Sequence, residues 1–431
     1  MSTTGKNLAI LNGRLLNPAD KTERTANLYI ENGRIAAIGT APQNFRAAET
    51  IDAKGLIICP GLIDLCARLR EPGHEYKASI RSETAAAAHG GITLLCIPPD
   101  TDPVIDEPAI IDLIQKQAQA RDGARVNILG ALTIGLEGLQ LSQMAALKAA
   151  GCSGVSNALR PITDNKVWYR ALEYAATQNL TVHIVPLDTN LANRGVAHAG
   201  AVATRLGLPG IPVSAETVAT AQILALIEET GTRVHFGRIS SAAATTMIAA
   251  AKDKKLPVTA DTAIHQLLLD ETAIDGFNSQ AHLLPPLRSA IDRQALVAAL
   301  KTGVIDAICS DHQPHDKDAK QNPYPATEPG ISGLDTLLGL ACELSSREGI
   351  PLLRVIDALT AVPAGILGVE DGKIAVGARA NLCIFNPAHA WTVEPEKFRS
   401  SGKNTPFGGI QLNAKAIYTV IDGNPLTCNA D

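Results

Sequence analysis

The chain has 431 residues, is 46% hydrophobic with 3% aromatic residues, and carries a formal net charge of −5. That length suits one large domain, or one with a small companion, around a mostly aliphatic core. Lys and Arg are scattered, leaving no basic stripe for nucleic acid and no polybasic membrane patch, and no apolar run approaches the about 18 residues of a membrane span. The start, Met1–Asn7, has no hydrophobic h-region, so no secretory signal is evident. The eight cysteines, Cys59, Cys66, Cys96, Cys152, Cys309, Cys342, Cys383 and Cys428, form no CxxC pair, and several sit in apolar runs. They read as buried thiols in a reducing cytoplasm.

In chain order, residues 7–58 read as short strands: Asn7–Leu16, Ala26–Ile30 and Arg34–Ile38, the last two joined at Asn32-Gly33. Asn-Gly between alternating apolar runs signals a hairpin. From about residue 60 short apolar runs alternate with helical stretches. The expected strands are Leu62–Leu69, Ile92–Ile97, Val126–Leu132, Cys152–Ser156, Thr181–Val185, Arg233–Ile239, Pro257–Ala260 and Asp306–Ser310. Helical patterns fall between them, as at Ser214–Glu229 and Ala242–Lys252. Eight βα units over roughly 300 residues predict an α/β fold, a (β/α)8 TIM barrel. Strand patterns return at Lys373-Ile374, Ala380–Phe385 and Ala416–Ile421. The two chain ends therefore read as one small β domain, residues 1–58 with 369–431, interrupted by a barrel over 59–368.

The first barrel strand runs into Leu69-Arg70-Glu71-Pro72-Gly73. Further on come Arg205-Leu206-Gly207-Leu208-Pro209-Gly210-Ile211-Pro212, Pro285-Pro286-Leu287-Arg288 and Ser310-Asp311-His312-Gln313-Pro314-His315. Gly330–Leu334 and Gly402–Phe407 follow. In order and spacing these segments resemble dihydroorotases of the cyclic amidohydrolase superfamily, over nearly the whole chain. The resemblance implies the interrupted-barrel fold, and in active members two metal ions, bridged by an Asp or a carbamylated Lys, that activate water against a cyclic amide.

This chain departs from that pattern at most of the implied ligands. His-x-His on the first strand is replaced by Cys66 and Arg68, and a guanidinium has no lone pair for a metal. On the fourth strand Asp-Asp is replaced by Asn157-Ala158, which supply no anionic bridge. The fifth strand offers His183. On the sixth, Arg238 stands where a His is implied, and His235, three residues earlier, is expected on the other strand face. The eighth offers Asp311. His183 and Asp311 alone match, and a catalytic zinc wants about three protein ligands. A lone Cys66 is more often a small buried hydrophobe than a ligand, and His312 and His315 read as structural groups shaping their loop.

The substrate side is altered too. The resemblance implies that Arg70 would hold a substrate carboxylate. The Asn implied in Pro99-Asp100-Thr101-Asp102-Pro103 is Asp100, which would repel an anion, and a second Asn is Leu284. Arg68 and Arg238 are expected to project toward Asp311 as cationic substitutes for the metals, at least one within ion-pair distance.

These features predict a pseudoenzyme without cofactor, its ancestral zinc lost. It resembles the inactive dihydroorotase-like subunits that some bacteria assemble with aspartate carbamoyltransferase in pyrimidine biosynthesis. That resemblance implies a cytoplasmic homodimer joined to the transcarbamoylase catalytic chain. Two alternatives stand beside it: a divergent hydrolase with one zinc on Cys66, His183 and Asp311, and a metal-free protein binding a small carboxylate through Arg70. Metal analysis separates the first alternative, and co-purification the second.

Overall fold

The structure is a computed structural model that describes residues 7–119 and 123–428. The leader reading of Met1–Lys6 lies outside these residues. Eight parallel strands follow one another in chain order: Leu62–Asp64, Ile92–Ile97, Arg125–Ala131, Gly154–Ser156, Thr181–Ile184, Val234–Phe236, Val258–Ala263 and Ala307–Cys309. Helices pack outside them. Ile80–His89 starts at Ser79, whose hydroxyl accepts the Ser82 N–H, and Ala242–Asp253 starts at Ser241 in the same way. The core is aliphatic as composition requires; Phe236 and Phe385 are the aromatics among its largest fully buried side chains.

The seam between the first and eighth strands is closed by other means than a ladder. Ile63 and Ile308 donate their N–H groups to Leu359 and Ala358, so that segment fills the gap low in the barrel. Above it the buried Asp64 carboxylate accepts the N–H of Ser310 at 2.8 Å and also the Ser310 hydroxyl. Higher still, Arg68 N–H donates to His312 C=O at 2.9 Å and His312 N–H to Cys66 C=O at 3.1 Å. The expected strand Leu62–Leu69 therefore stops as regular strand at Asp64. Its extension is held by a single bridge, Ala67 to His312, which sets Cys66 and Arg68 beside Asp311.

The chain ends form one sheet, in the order Asn424–Thr427, Lys415–Ile421, Leu382–Asn386, Ile57–Pro60, Leu8–Asn17, Thr22–Glu31 and Arg34–Ile38, with Glu49–Asp52 also against Leu8–Asn17. Ile57–Pro60 joins the two ends: it runs parallel to Leu8–Asn17 and antiparallel to Leu382–Asn386. The hairpin turn lies at Asn32-Gly33, where both residues have positive φ, 49° and 75°. Lys373-Ile374 is not a strand. Ile374 is instead tied by its backbone to the Asn17 carboxamide, at 3.0 and 3.1 Å. No helix of the described residues is long and apolar enough to cross a membrane.

Candidate functional site

The site residues stand where strands end at the C-terminal mouth of the barrel, the usual location of barrel chemistry. Several take the left-handed conformation there: Arg70 (φ 66°), Ala158 (φ 50°), Arg238 (φ 58°) and Asp311 (φ 48°). Such backbone is costly for residues other than glycine and persists where surrounding contacts over-determine it. It also breaks the two-residue alternation of the strand, so side-chain direction at these positions is set by contacts through space.

Asp311 is the centre of a four-charge cluster. Arg238 Nη1 donates to its Oδ1 at 2.8 Å, and Gln313 Nε2 to the same oxygen at 3.1 Å. The Cys66 thiol points at it from 3.7 Å. Arg68 Nη1 is 3.8 Å away, an ion pair without a hydrogen bond. The main partner of Arg68 is Asp100, whose Oδ2 accepts from Nε and lies 2.9 Å from both Nε and Nη2. The expectation that both arginines aim at Asp311 is thus met closely by Arg238 and loosely by Arg68. Asp100, read from sequence as a defect of the substrate site, is the counter-ion that Arg68 requires. Burial alone would raise the Asp100 carboxyl; Arg68, Arg238 and Arg70 outweigh it and hold it below the ordinary carboxylate range. Burial likewise opposes the charge of Arg238, but Asp311 outweighs it and holds the guanidinium firmly protonated.

One layer deeper, His183 pairs in register with Ser156 and His235. The rings of His183 and His235 lie 5.2 Å apart with their planes tilted by 57°, and Gly154 leaves the room: a Cβ there would meet the His183 ring at 2.9 Å. His235 is therefore inside the barrel, not on the far face. The three-residue argument fails because the chain turns left-handed at Arg238 and reverses the pleat. His235 Nε2 and the Arg238 N–H both meet Asp261, at 2.8 and 2.7 Å. Burial, with His235 adding to it, lowers the His183 imidazole to about 3, and its Nε2 has no partner. His183 makes no hydrogen bond or ion pair with Asp311. The residue that shares its face two positions on, at the strand end, is Val185.

The remaining positions have structural tasks. Asn157 accepts the Thr133 hydroxyl at 2.7 Å and donates to the Arg160 and Leu136 carbonyls, pinning the loops beyond its strand. Ala158 packs with Ala131 and Leu136. Leu284 packs against Ala192, Ile211 and Ala215. Arg70 Nε donates to Pro314 C=O at 3.0 Å, and its Nη2 lies 3.2 Å from His315. His315, lowered to about 2 by burial and by Arg70, is neutral; its Nε2 meets Pro329 C=O at 3.0 Å. His312 bonds Glu83 at 2.8 Å and accepts the Gly333 N–H. Sequence reasoning missed Asp261, His265 and Gln313. The signal for Asp261 was the paired appearance of His235 and a carboxylate on adjacent inward strands; His265 carried none.

A zinc pair of the kind the fold implies does not suit these residues. Two guanidiniums stand on the carboxylates, and burial pushes the Cys66 thiol up to about 12, so no thiolate is offered. Among the described residues no three His, Cys, Asp or Glu side chains converge as a cation-binding group.

Residues 55–244 match a family described as dihydro-orotase-like, and residues 329–427 one described as amidohydrolase family. A dihydroorotase-like protein of Pseudomonas putida is 47% identical over 417 residues, spanning 97% of this chain and 98% of its own. The chain belongs to the dihydroorotase-like amidohydrolases. A dihydroorotase of Geobacter metallireducens is 38% identical over 417 residues, 97% of this chain and 98% of that one. L-Hydantoinase (dihydropyrimidinase) from Arthrobacter aurescens superposes with a TM-score of 0.88 at 22% identity, over 98% of this chain and 96% of its own, which establishes the shared fold. Within this dihydroorotase-like fold, the mouth is where the chain differs chemically from what its scaffold implies.

Proposed function

We propose that this dihydroorotase-like chain is a non-catalytic, metal-free subunit that assembles with aspartate carbamoyltransferase catalytic chains in pyrimidine biosynthesis. It would do so in the cytoplasm, as a homodimer within a larger hetero-oligomer. The observation that carries the reading is the closed charge cluster at the mouth, Arg238 on Asp311 and Arg68 on Asp100. Two fixed positive charges stand beside the acids that cations would otherwise need, and they repel divalent metal while keeping the buried acids compensated. The alternative of one zinc on Cys66, His183 and Asp311 is disfavoured by the protonated thiol and by the depth of His183. Capture of a carboxylate by Arg70 is disfavoured by space: the cavity beside Arg68, Arg70 and Asp100 is about 10 Å³, room for about one water.

The test has two parts. Purified chain is analysed for bound metal and assayed for dihydroorotate hydrolysis and carbamoyl-aspartate cyclisation; no stoichiometric zinc and no activity above background are expected. The chain and the transcarbamoylase are then run separately and mixed on size-exclusion chromatography with light scattering. A mixed species is expected, with transcarbamoylase activity dependent on this chain. Independent elution at micromolar concentration together with indifferent activity would refute the subunit role, and stoichiometric zinc would refute the non-catalytic one.

A further inference from the structure

Beside the mouth, and sharing only His315 with the positions discussed above, lies a cleft of about 270 Å³. It is walled by Gln280, by the turn from His315 to Gln321, and by Glu396, Lys403 and Asn404. Lys320 enters it from the short turn Lys317–Lys320 and is 6% exposed. An ammonium has three donors, and this one has a single weak partner, the His282 carbonyl at 3.3 Å. Among the described residues it makes no ion pair. The nearest acid acting on it, Glu328, is held by Lys77 at 2.5 Å and faces His315 Nδ1 at 3.3 Å.

The rest of the cleft is also incompletely satisfied. Lys403 Nζ donates to Phe398 and Ser400 carbonyls at 2.7 and 2.9 Å, which leaves one donor over. Gln280 Oε1 is buried with no donor at all. At the rim Lys317 pairs loosely with Glu396, at 3.7 Å, and Asp316 is the other acid present. A buried, uncompensated ammonium is costly, and so is a buried amide oxygen without a donor.

We infer that this cleft binds a small phosphate-like oxyanion, held by Lys320 with Lys403 and Lys317. One such ligand gives the Lys320 ammonium the counter-charge and acceptors it lacks, and the cleft is large enough for phosphate or a small phosphate monoester. In the free protein, burial lowers the Lys320 ammonium to about 7, with Glu328 pulling the other way. The other groups around it are His282, His315, Lys317, Lys403, Asp316 and Glu396, and neither of these two acids pairs with its Nζ among the described residues. Oxyanion binding is therefore coupled to protonation of Lys320. The site does not depend on the proposed subunit role.

The experiment is calorimetric titration of the full chain with inorganic phosphate, methyl phosphate, sulfate and acetate. Saturable one-to-one binding is expected for phosphate and for sulfate, and none for acetate. Methyl phosphate binding at least as well as phosphate identifies a monoester ligand; tenfold weaker binding identifies the free ion. Lys320→Met should weaken phosphate at least tenfold, while Arg160→Met, a cation elsewhere on the surface, should not. Sulfate, whose charge is constant, should bind more weakly at pH 8.5 than at pH 6, and Lys320→Arg should remove that pH dependence. No saturable phosphate binding at pH 6, or equal binding by folded Lys320→Met, overturns the inference.

Discussion

Asp311 and His312 are neighbours in sequence, yet they serve two differently built regions. Asp311 faces the barrel mouth, where its carboxylate is matched by the Arg238 and Arg68 guanidiniums and Asp100 balances the second of them. His312 bonds Glu83 on the helix outside, and Glu83 also accepts the Ser401 N–H at 3.0 Å, tying the barrel to the C-terminal segment. The outer node is a hydrogen-bonded joint that any barrel of this design can use. The mouth is a set of full charges that compensate one another in little water. Removing one charge at the mouth strands another, whereas neutralising Glu83 at the joint removes the buried charge itself and costs its hydrogen bonds. The scaffold can therefore stay intact while the mouth changes its chemistry, provided the charges change together.

The largest effect should follow from breaking the mouth. Arg238→Met leaves Asp311, 1% exposed, without its closest cation and should cost about 3–5 kcal/mol in urea unfolding. Adding Asp311→Leu should recover most of that loss. A double variant as unstable as the single one would show that Arg238 acts by packing rather than by charge.

Acid should expose the neutral histidines beneath the cluster. Burial lowers His183 to about 3 and His265 to about 4, both below the ordinary imidazole value of about 6.5. Between those limits the unfolded chain protonates these two imidazoles and the folded one does not, so their contribution to stability is complete above pH 6.5 and falls as pH drops toward 4. The slope should approach about 1.4 kcal/mol per pH unit for each group. His265→Phe should remove one group's share, about 1.4 kcal/mol per pH unit, while His282 and His315, also lowered by burial, keep theirs and Asp64 and Asp335, raised to about 6, act in the opposite sense. An unchanged slope in folded His265→Phe would contradict the buried neutral assignment of His265.

Glu83→Gln tests the joint. It keeps the size but turns one acceptor into a donor facing His312 or Ser401, and should cost about 1–3 kcal/mol. A loss as large as that of Arg238→Met would erase the contrast between the two regions. Arg68→Met should fall near the same range, about 1–2 kcal/mol, because the Asp100 side chain is 25% exposed and water can replace part of the lost pairing. Cys66→Ala should be the mildest change, under about 1 kcal/mol. With its thiol near 12, Cys66 should resist iodoacetamide at pH 8 in the folded chain, read by mass spectrometry. Rapid labelling there would reopen the thiolate ligand.

The sequence alone carried the barrel and the interrupted end domain, and its resemblance to dihydroorotases marked the positions whose side chains depart from the implied ligands. Apolar runs alternating with helical stretches specify strand and helix through burial periodicity, and Asn32-Gly33 specifies a hairpin through backbone sterics. An Arg at position 68 or 238, or an Asn at 157, is unfit for its implied metal role wherever its side chain points. Direction and partnership were decided by the tertiary structure. Arg68 chose Asp100, His235 turned inward, and His183 sank a layer below the mouth because left-handed turns at strand ends cancel the pleat and register sets the depth of each side chain. The pleat extends only as far as the strand does, and at its end packing and charge decide which way each residue faces.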